Sequence, residues 1–274
     1  MAEIPLFDTH AHYDHPRFKE DGPAVVADLF SRGVIDGVVI PAISYESNFN
    51  RALFPEAQFP CVYFAAGLHP RFAVNEKWWT KTKRAEFAAV ADDRRTVAVK
   101  TGLDFRNEKL TAAQKKHQER FFLYLAALAA EKSLPLVLHV REAVERLLEL
   151  LPQAELPAEI AVHCFTSDEG IARRLLDAGV TRFGIGGMLT RPESGALRDC
   201  VKALPLSTIL LETDAPFVKP EGWEGKYNTS ETLPEIVRLI AELKGLAVQT
   251  VVEAVQKNAR DFFGLQPSGE TAEL

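Results

Sequence analysis

Residues 134–163, LPLVLHVREAVERLLELLPQAELPAEIAVH, contain two short apolar runs separated by one helical stretch. Leu136–His139 and Ile160–His163 are nearly unbroken in Leu, Val, Ile and Ala, as strands buried on both faces should be. Between them, Arg141–Leu151 mixes Leu with Arg and Glu at helical spacing. A strand, a crossover helix and a second strand of the same kind make a parallel β-α-β unit. Both strands also end on a histidine.

The same alternation extends outward in both directions. Strands are expected at Leu6–Thr9, Val34–Ile40, Val62–Ala66 and Thr96–Val99 before this unit, and at Arg182–Ile185 and Thr208–Glu212 after it. Helices are expected at Gly22–Ser31, Glu46–Phe54, Thr80–Ala91, Thr111–Glu131, Asp168–Asp177 and Glu193–Ala203, with a last region, Leu233–Phe263, broken near Gly245. Within 111–131, Phe121, Leu125, Leu128 and Ala129 share one helix face, with Lys115, Gln118 and Glu119 largely elsewhere. Eight strand–helix pairs in 274 residues match an α/β fold, the (β/α)8 TIM barrel, as a single domain over residues 1–265. A doubly wound open sheet is the alternative, because strand count alone does not demonstrate closure. Residues 266–274 read as an unstructured tail.

Composition narrows the function. With 47% hydrophobic and 26% charged residues the chain is an ordinary globular one. A net charge of −6 gives no global positive field for nucleic acid or an anionic membrane, so a phosphate-bearing substrate has to be attracted locally. Cys61, Cys164 and Cys200 are too few and too widely spaced for a disulfide framework or a thiolate zinc site. The longest apolar run, FFLYLAALAA at 121–130, is half a membrane span, and the N-terminus has no signal-peptide pattern. These features predict a cytoplasmic protein with no membrane partner, a monomer by default.

The histidines fall where strands end. His10 and His12 form an H-x-H pair, and alternation turns both imidazoles to one side. His139 and His163 close their strands, and Asp214 follows the last strand. In a barrel these ends converge on one face, where such folds carry active sites. Four imidazoles and a carboxylate suit one or two divalent ions, zinc, manganese or magnesium, with iron also compatible. His69, after the third strand, reads as a substrate contact, whereas His15 and His117 read as surface residues. Arg141 and Arg71 are candidate phosphate ligands, with Arg17 beside them. Glu212 can orient a histidine. Trp223 and Tyr227 are placed to stack on bases or to pack their own loop. Gly184–Gly187 lacks a nucleotide-loop pattern, and Cys164 reads as core.

These motifs resemble, in order and over nearly the whole length, the TatD family of metal-dependent deoxyribonucleases, within the amidohydrolase-type barrels. FDTHAHYD (7–14), GLHP (67–70), TGLDF (101–105), LPLVLHVREA (134–143), AVHCFTSD (161–168), LLETDAPF (210–217) and KNARDFFG (257–264) carry the resemblance. It implies that His10, His12 and Asp214 hold one metal ion and His139 and His163 a second. The implied reaction is hydrolysis of DNA phosphodiester bonds by metal-activated water, with Asp214 also a proton acceptor.

One position departs from the family. Where it places a metal-bridging glutamate two residues before G-L-D, this chain has Lys100. An ammonium about 4 Å from a divalent ion is repelled by roughly 8 kcal/mol at an effective dielectric near 20, an upper bound. Three outcomes are compatible with the sequence: a neutral or displaced Lys100 beside one ion, an absent second ion with weakened activity, or a carboxylated Lys100 that restores a bridge and a catalytic role. Three functions are compatible with these outcomes: a deoxyribonuclease, an amidohydrolase-type hydrolase of a small ester, lactone, amide or phosphoester using carboxylated Lys100, and a non-catalytic barrel with a weakened metal site acting as a binding protein.

Overall fold

Eight short strands are what an alternating pattern of buried runs and amphipathic stretches produces. The structure, a computed structural model, describes residues 4–18 and 21–266. Its strands are β1 (Leu6–Asp8), β2 (Ile35–Pro41), β3 (Val62–Gly67), β4 (Thr96–Asp104), β5 (Leu136–Arg141), β6 (Ile160–Val162), β7 (Arg182–Ile185) and β8 (Ile209–Leu211). The helices are α1 (Gly22–Ser31), α2 (Pro70–Ala73), α3 (Lys81–Ala91), α4 (Ala112–Glu131), α5 (Val144–Leu150), α6 (Glu169–Asp177), α7 (Gly195–Ala203), α8 (Leu233–Lys244) and α9 (Val248–Phe263).

The helix boundaries follow local chemistry. Thr80 and Thr111 accept backbone N–H groups at the starts of α3 and α4, and Thr111 and Gln114 form a reciprocal capping box. Gly245 ends α8 in the left-handed conformation, which separates it from α9. The stretch expected as a helix at Glu46–Phe54 is a 3-10 helix at Glu46–Leu53. The tail expected at 266–274 lies, beyond Gln266, outside the described residues.

All neighbouring strands pair in parallel, in the order β1 to β8. The sheet closes on itself: Thr9 N–H donates to Leu211 O at 3.0 Å, Asp214 N–H to His10 O at 2.8 Å, and His12 N–H to Ala215 O at 2.6 Å. Closure selects the barrel over the open sheet.

Period-two alternation then sorts the side chains. Val38, Ile40, Val99, Leu103, Leu136, Leu138 and Ile160 point outward into the layer beneath the helices. Phe7, Val39, Ala65, Ala98, Val137, Ala161 and Leu210 point inward, one from every strand but β7, against Ala259, Phe262 and Phe263 of α9. Each large apolar side chain buried this way stabilises the fold by about 1.5–3 kcal/mol. Two residues further on from Ala98, Val137, Ala161 and Leu210 come Lys100, His139, His163 and Glu212. The polar site is therefore the layer stacked on this apolar plug, at the strand C-termini.

Candidate active site

The cavity at that end measures about 290 Å³, and its walls include His12, His15, His69, Arg71, Lys100, Asp104, His139, Arg141, His163 and Asp214. Two of its side chains reach it through unusual backbone: Asp214 has φ 53° and Val218 φ 49°, a region that costs non-glycine residues energy, and Cys164, next to His163, has φ 48°. Such positions at the ends of strands aim a side chain where regular strand geometry cannot.

Asp214 Oδ1 lies 3.3 Å from His12 Nε2 and 3.8 Å from His10 Nε2. His12 Nδ1 lies 3.0 Å from the carbonyl of Pro41 at the end of β2. That carbonyl can only accept, so Nδ1 carries the proton and the Nε2 lone pair faces Asp214. His10 and His163 stack with centroids 3.9 Å apart and planes within 7°. His163 Nδ1 is buried without a hydrogen-bond partner, 3.7 Å from Glu212 Oε1. Two groups of His and Asp ligand atoms converge within 4.8 Å: His10, His163 and Asp214, and separately His69, Asp104 and His139. Burial and the neighbouring cationic groups hold His10, His69 and His163 well below the usual histidine range, so their imidazoles are neutral.

This donor set fits a divalent ion. Two ligands about 2.1 Å from a tetrahedral centre are roughly 3.4 Å apart, close to the observed His12–Asp214 and His10–Asp214 separations. The unpartnered His163 nitrogen beside them is the kind of buried polar atom a metal satisfies. Lys100 is where the fit changes. It is fully buried, and its Nζ lies 2.6 Å from His10 Nε2, on the lone pair a metal would use. Desolvation pushes the amine down to about 8, against the pull of Asp214 and Glu212.

His139 bridges the two groups, with Nδ1 3.0 Å from His163 Nε2 and Nε2 3.2 Å from Asp104 Oδ2. His69 caps α2: its Nδ1 accepts the Arg71 N–H at 3.1 Å, so Nε2 carries the proton as a donor. Arg71 and Arg141 are exposed on the cavity wall.

Glu212 accepts the Cys164 N–H at 2.6 Å, and burial beside Asp214 raises its carboxyl well above the usual range. It fits only because residue 184 is glycine: a Cβ there would come within 2.0 Å of Glu212 Oε2. Gly184 thus makes room for an acid rather than forming a nucleotide loop. Gly102 answers a similar need, since a Cβ would stand 1.9 Å from the His139 carbonyl.

Several sequence expectations change. Cys164, expected in the core, is only partly buried and stands electrostatically close to Asp214, Glu212 and Lys100, because its positive φ breaks the alternation. Gln118 is buried rather than off the packed face of α4; it accepts the Asp104 N–H at 2.8 Å and donates to the Asp104 carbonyl at 3.0 Å. His15 lines the cavity and packs edge-on against Phe217 at 5.0 Å. Trp223 donates to the Tyr227 carbonyl at 2.9 Å and borders a separate cavity with Arg17. Asp104 was missed as a site residue because β4 was expected to stop at Val99. It runs to Asp104, and Lys100, Gly102 and Asp104 then share one parity.

A sequence profile described as TatD related DNase matches residues 7–264. An uncharacterised metal-dependent hydrolase TatD of Mycobacterium tuberculosis is 33% identical over 265 residues, 95% of this chain and 98% of that protein. A 3'-5' ssDNA/RNA exonuclease TatD of Pantoea ananatis is 32% identical, covering 95% of this chain and 100% of that one. The crystal structure of the Escherichia coli TatD homologue YjjV superposes with a TM-score of 0.83 at 28% identity, over 96% and 99% of the two chains. None of the described helices is long and apolar enough to cross a membrane.

Proposed function

The chain belongs to the TatD-related family of metal-dependent hydrolases, and from that premise we propose that it hydrolyses phosphodiester bonds of nucleic acid, with DNA the first substrate to test. The observation that carries the reading is the convergence of His10, His12, His163 and Asp214 beneath a cavity walled by Arg71 and Arg141. Relatives named as ssDNA/RNA exonucleases support it.

His12, Asp214 and His163 would hold a divalent ion, with His10 added when Lys100 releases it. Lewis acidity toward a phosphoryl oxygen and toward water is what that ion supplies when bound. The remaining chemistry belongs to side chains. Asp214 directs Oδ1 at His10 and His12, which leaves Oδ2 to accept a proton from the attacking water. His69 presents its Nε2–H, and Arg71 and Arg141 their guanidinium forks, to non-bridging phosphate oxygens. Gln118 fixes the Asp104 backbone, and Asp104 orients His139. Metal-dependent cleavage of a labelled single-stranded oligonucleotide tests the reading. It should stop with EDTA and in Asp214→Asn; cleavage indifferent to both would overturn it.

A second reading is favoured by the burial of Lys100, whose amine faces imidazoles with no carboxylate at salt-bridge distance among the described residues. Addition of carbon dioxide to the neutral amine, with release of one proton, would give an anionic carbamate midway along β4 and a place for a second ion. Its sign would be a second bound ion per chain that appears only with bicarbonate and never in Lys100→Met.

A further inference from the structure

The charge of this chain is unevenly distributed. Residues 71–120 carry 13 Lys and Arg against 7 Asp and Glu, a local +6 in a chain whose total is −6, or +5 without Lys100, which is buried in the catalytic cavity. The segment spans α2, α3, β4 and the first turns of α4. Because helices of a parallel barrel run opposite to its strands, α3 and α4 both begin at the end where the catalytic cavity opens. Gln118 of α4 holds the Asp104 backbone, and Lys115 lies 4.9 Å over the Phe105 ring, so α4 borders the site directly.

Between Trp79 and α4 lies a second cavity, of about 650 Å³, distinct from the catalytic one. Trp79, Leu123 and Tyr124 give it apolar walls, Lys116 and Arg120 give it cations, and His117 lies 3.3 Å from Glu76. The acid on its wall, Glu119, is engaged by Arg146 through two bonds of 2.7 and 2.8 Å. Arg120 stands 3.9 Å and Arg84 4.7 Å over the Trp79 ring. An apolar hollow rimmed by cations suits an unstacked base with its phosphates, and a paired base in a duplex cannot enter it.

We propose that this basic flank is a docking path for single-stranded nucleic acid, which seats a base in the Trp79–Tyr124 cavity while the strand end occupies the catalytic site. The proposal rests on the nuclease reading and narrows its substrate to single strands long enough to reach α4.

The test is fluorescence anisotropy in EDTA, so that binding is read without cleavage. The probes are a labelled trinucleotide, a single-stranded oligothymidylate of about 20 nucleotides and a duplex of equal length. The protein is the full chain, either native, with Lys116→Ala and Arg120→Ala together, or with the control pair Arg173→Ala and Lys202→Ala on α6 and α7. Unchanged melting profiles establish that the variants are folded. The Lys116/Arg120 pair should weaken binding of the long single strand about tenfold and reduce the salt slope by about 1.4, the value for two lost phosphate contacts. The control pair should do neither, and the trinucleotide should not separate the proteins. Equal binding of the long strand by native and Lys116/Arg120 proteins would overturn the proposal while leaving the nuclease reading intact, as would duplex binding equal to single-strand binding. A native dimer that the Lys116/Arg120 pair dissociates, seen by light scattering, would assign the flank to a second copy and also overturn it. Absence of both nucleic-acid binding and metal-dependent cleavage in the native protein would refute the nuclease reading as well.

Discussion

Replacing Lys100 by Met keeps an unbranched apolar stem, with sulfur in place of Cδ, and removes the amine. Lys100 is fully buried, and its amine is held down to about 8 from 10.5, chiefly by desolvation. A lysine whose folded value lies below its unfolded one destabilises the fold while it must carry a proton. The cost is therefore complete below about pH 8 and fades as pH rises toward 10.5. The gap corresponds to about 3 kcal/mol. Against it stands the hydrogen bond to His10 Nε2, worth about 1 kcal/mol. Metal-free Lys100→Met should thus be about 2 kcal/mol more stable than the native chain near pH 7, and about 1 kcal/mol less stable near pH 11. Urea unfolding in EDTA at both pH values, read as the midpoint shift at unchanged m-value, measures this. A variant equally destabilised at both pH values would refute the argument, because the amine would then be a stabilising group without a burial cost.

Three further outcomes follow from single contacts. Gly184→Ala places a methyl group against the Glu212 carboxylate and should cost about 1–3 kcal/mol of stability, measured by thermal unfolding; an unchanged melting point would mean Glu212 is not fixed there. Asp8, buried and accepting Thr213 and Ser230 hydroxyls at 2.7 Å, has its carboxyl raised by desolvation to about 6. Its ionisation costs the native chain stability as pH rises from about 4 to 6, so Asp8→Asn should gain up to about 3 kcal/mol relative to native across that window; a pH-independent difference in urea unfolding would contradict this. Gln118→Ala removes both bonds to the Asp104 backbone and should lower stability by about 2 kcal/mol, with a loss in kcat because Asp104 no longer fixes His139; a stability loss with unchanged kcat would remove Gln118 from the site's support.

The barrel was legible because buried parallel strands are written as unbroken apolar runs, and Ile160–Val162 occurs where that rule puts it. The site histidines were legible for the same reason, since His139 and His163 stand where the apolar run stops. What stayed hidden depends on tertiary or backbone detail. The fourth strand is expected only over Thr96–Val99, yet β4 continues through Thr101 and Gly102 and delivers Asp104 to the cavity. The positive φ of Cys164 takes its side chain out of the strand alternation and into electrostatic reach of Asp214 and Glu212. Gln118 lies at a helix position whose polarity suggests solvent, and only the approach of β4 gives it buried partners. Lys100 was visible as a departure, but its contact with His10 came only from the packed barrel.

Metal content tests the central claim most directly. The 274-residue chain, purified without chelator, should carry at least one divalent ion by plasma mass spectrometry, and Asp214→Asn and His12→Ala should each lose it while remaining folded. Native protein without a bound ion after incubation with zinc, manganese or magnesium, or an ion retained by both variants, would contradict the account.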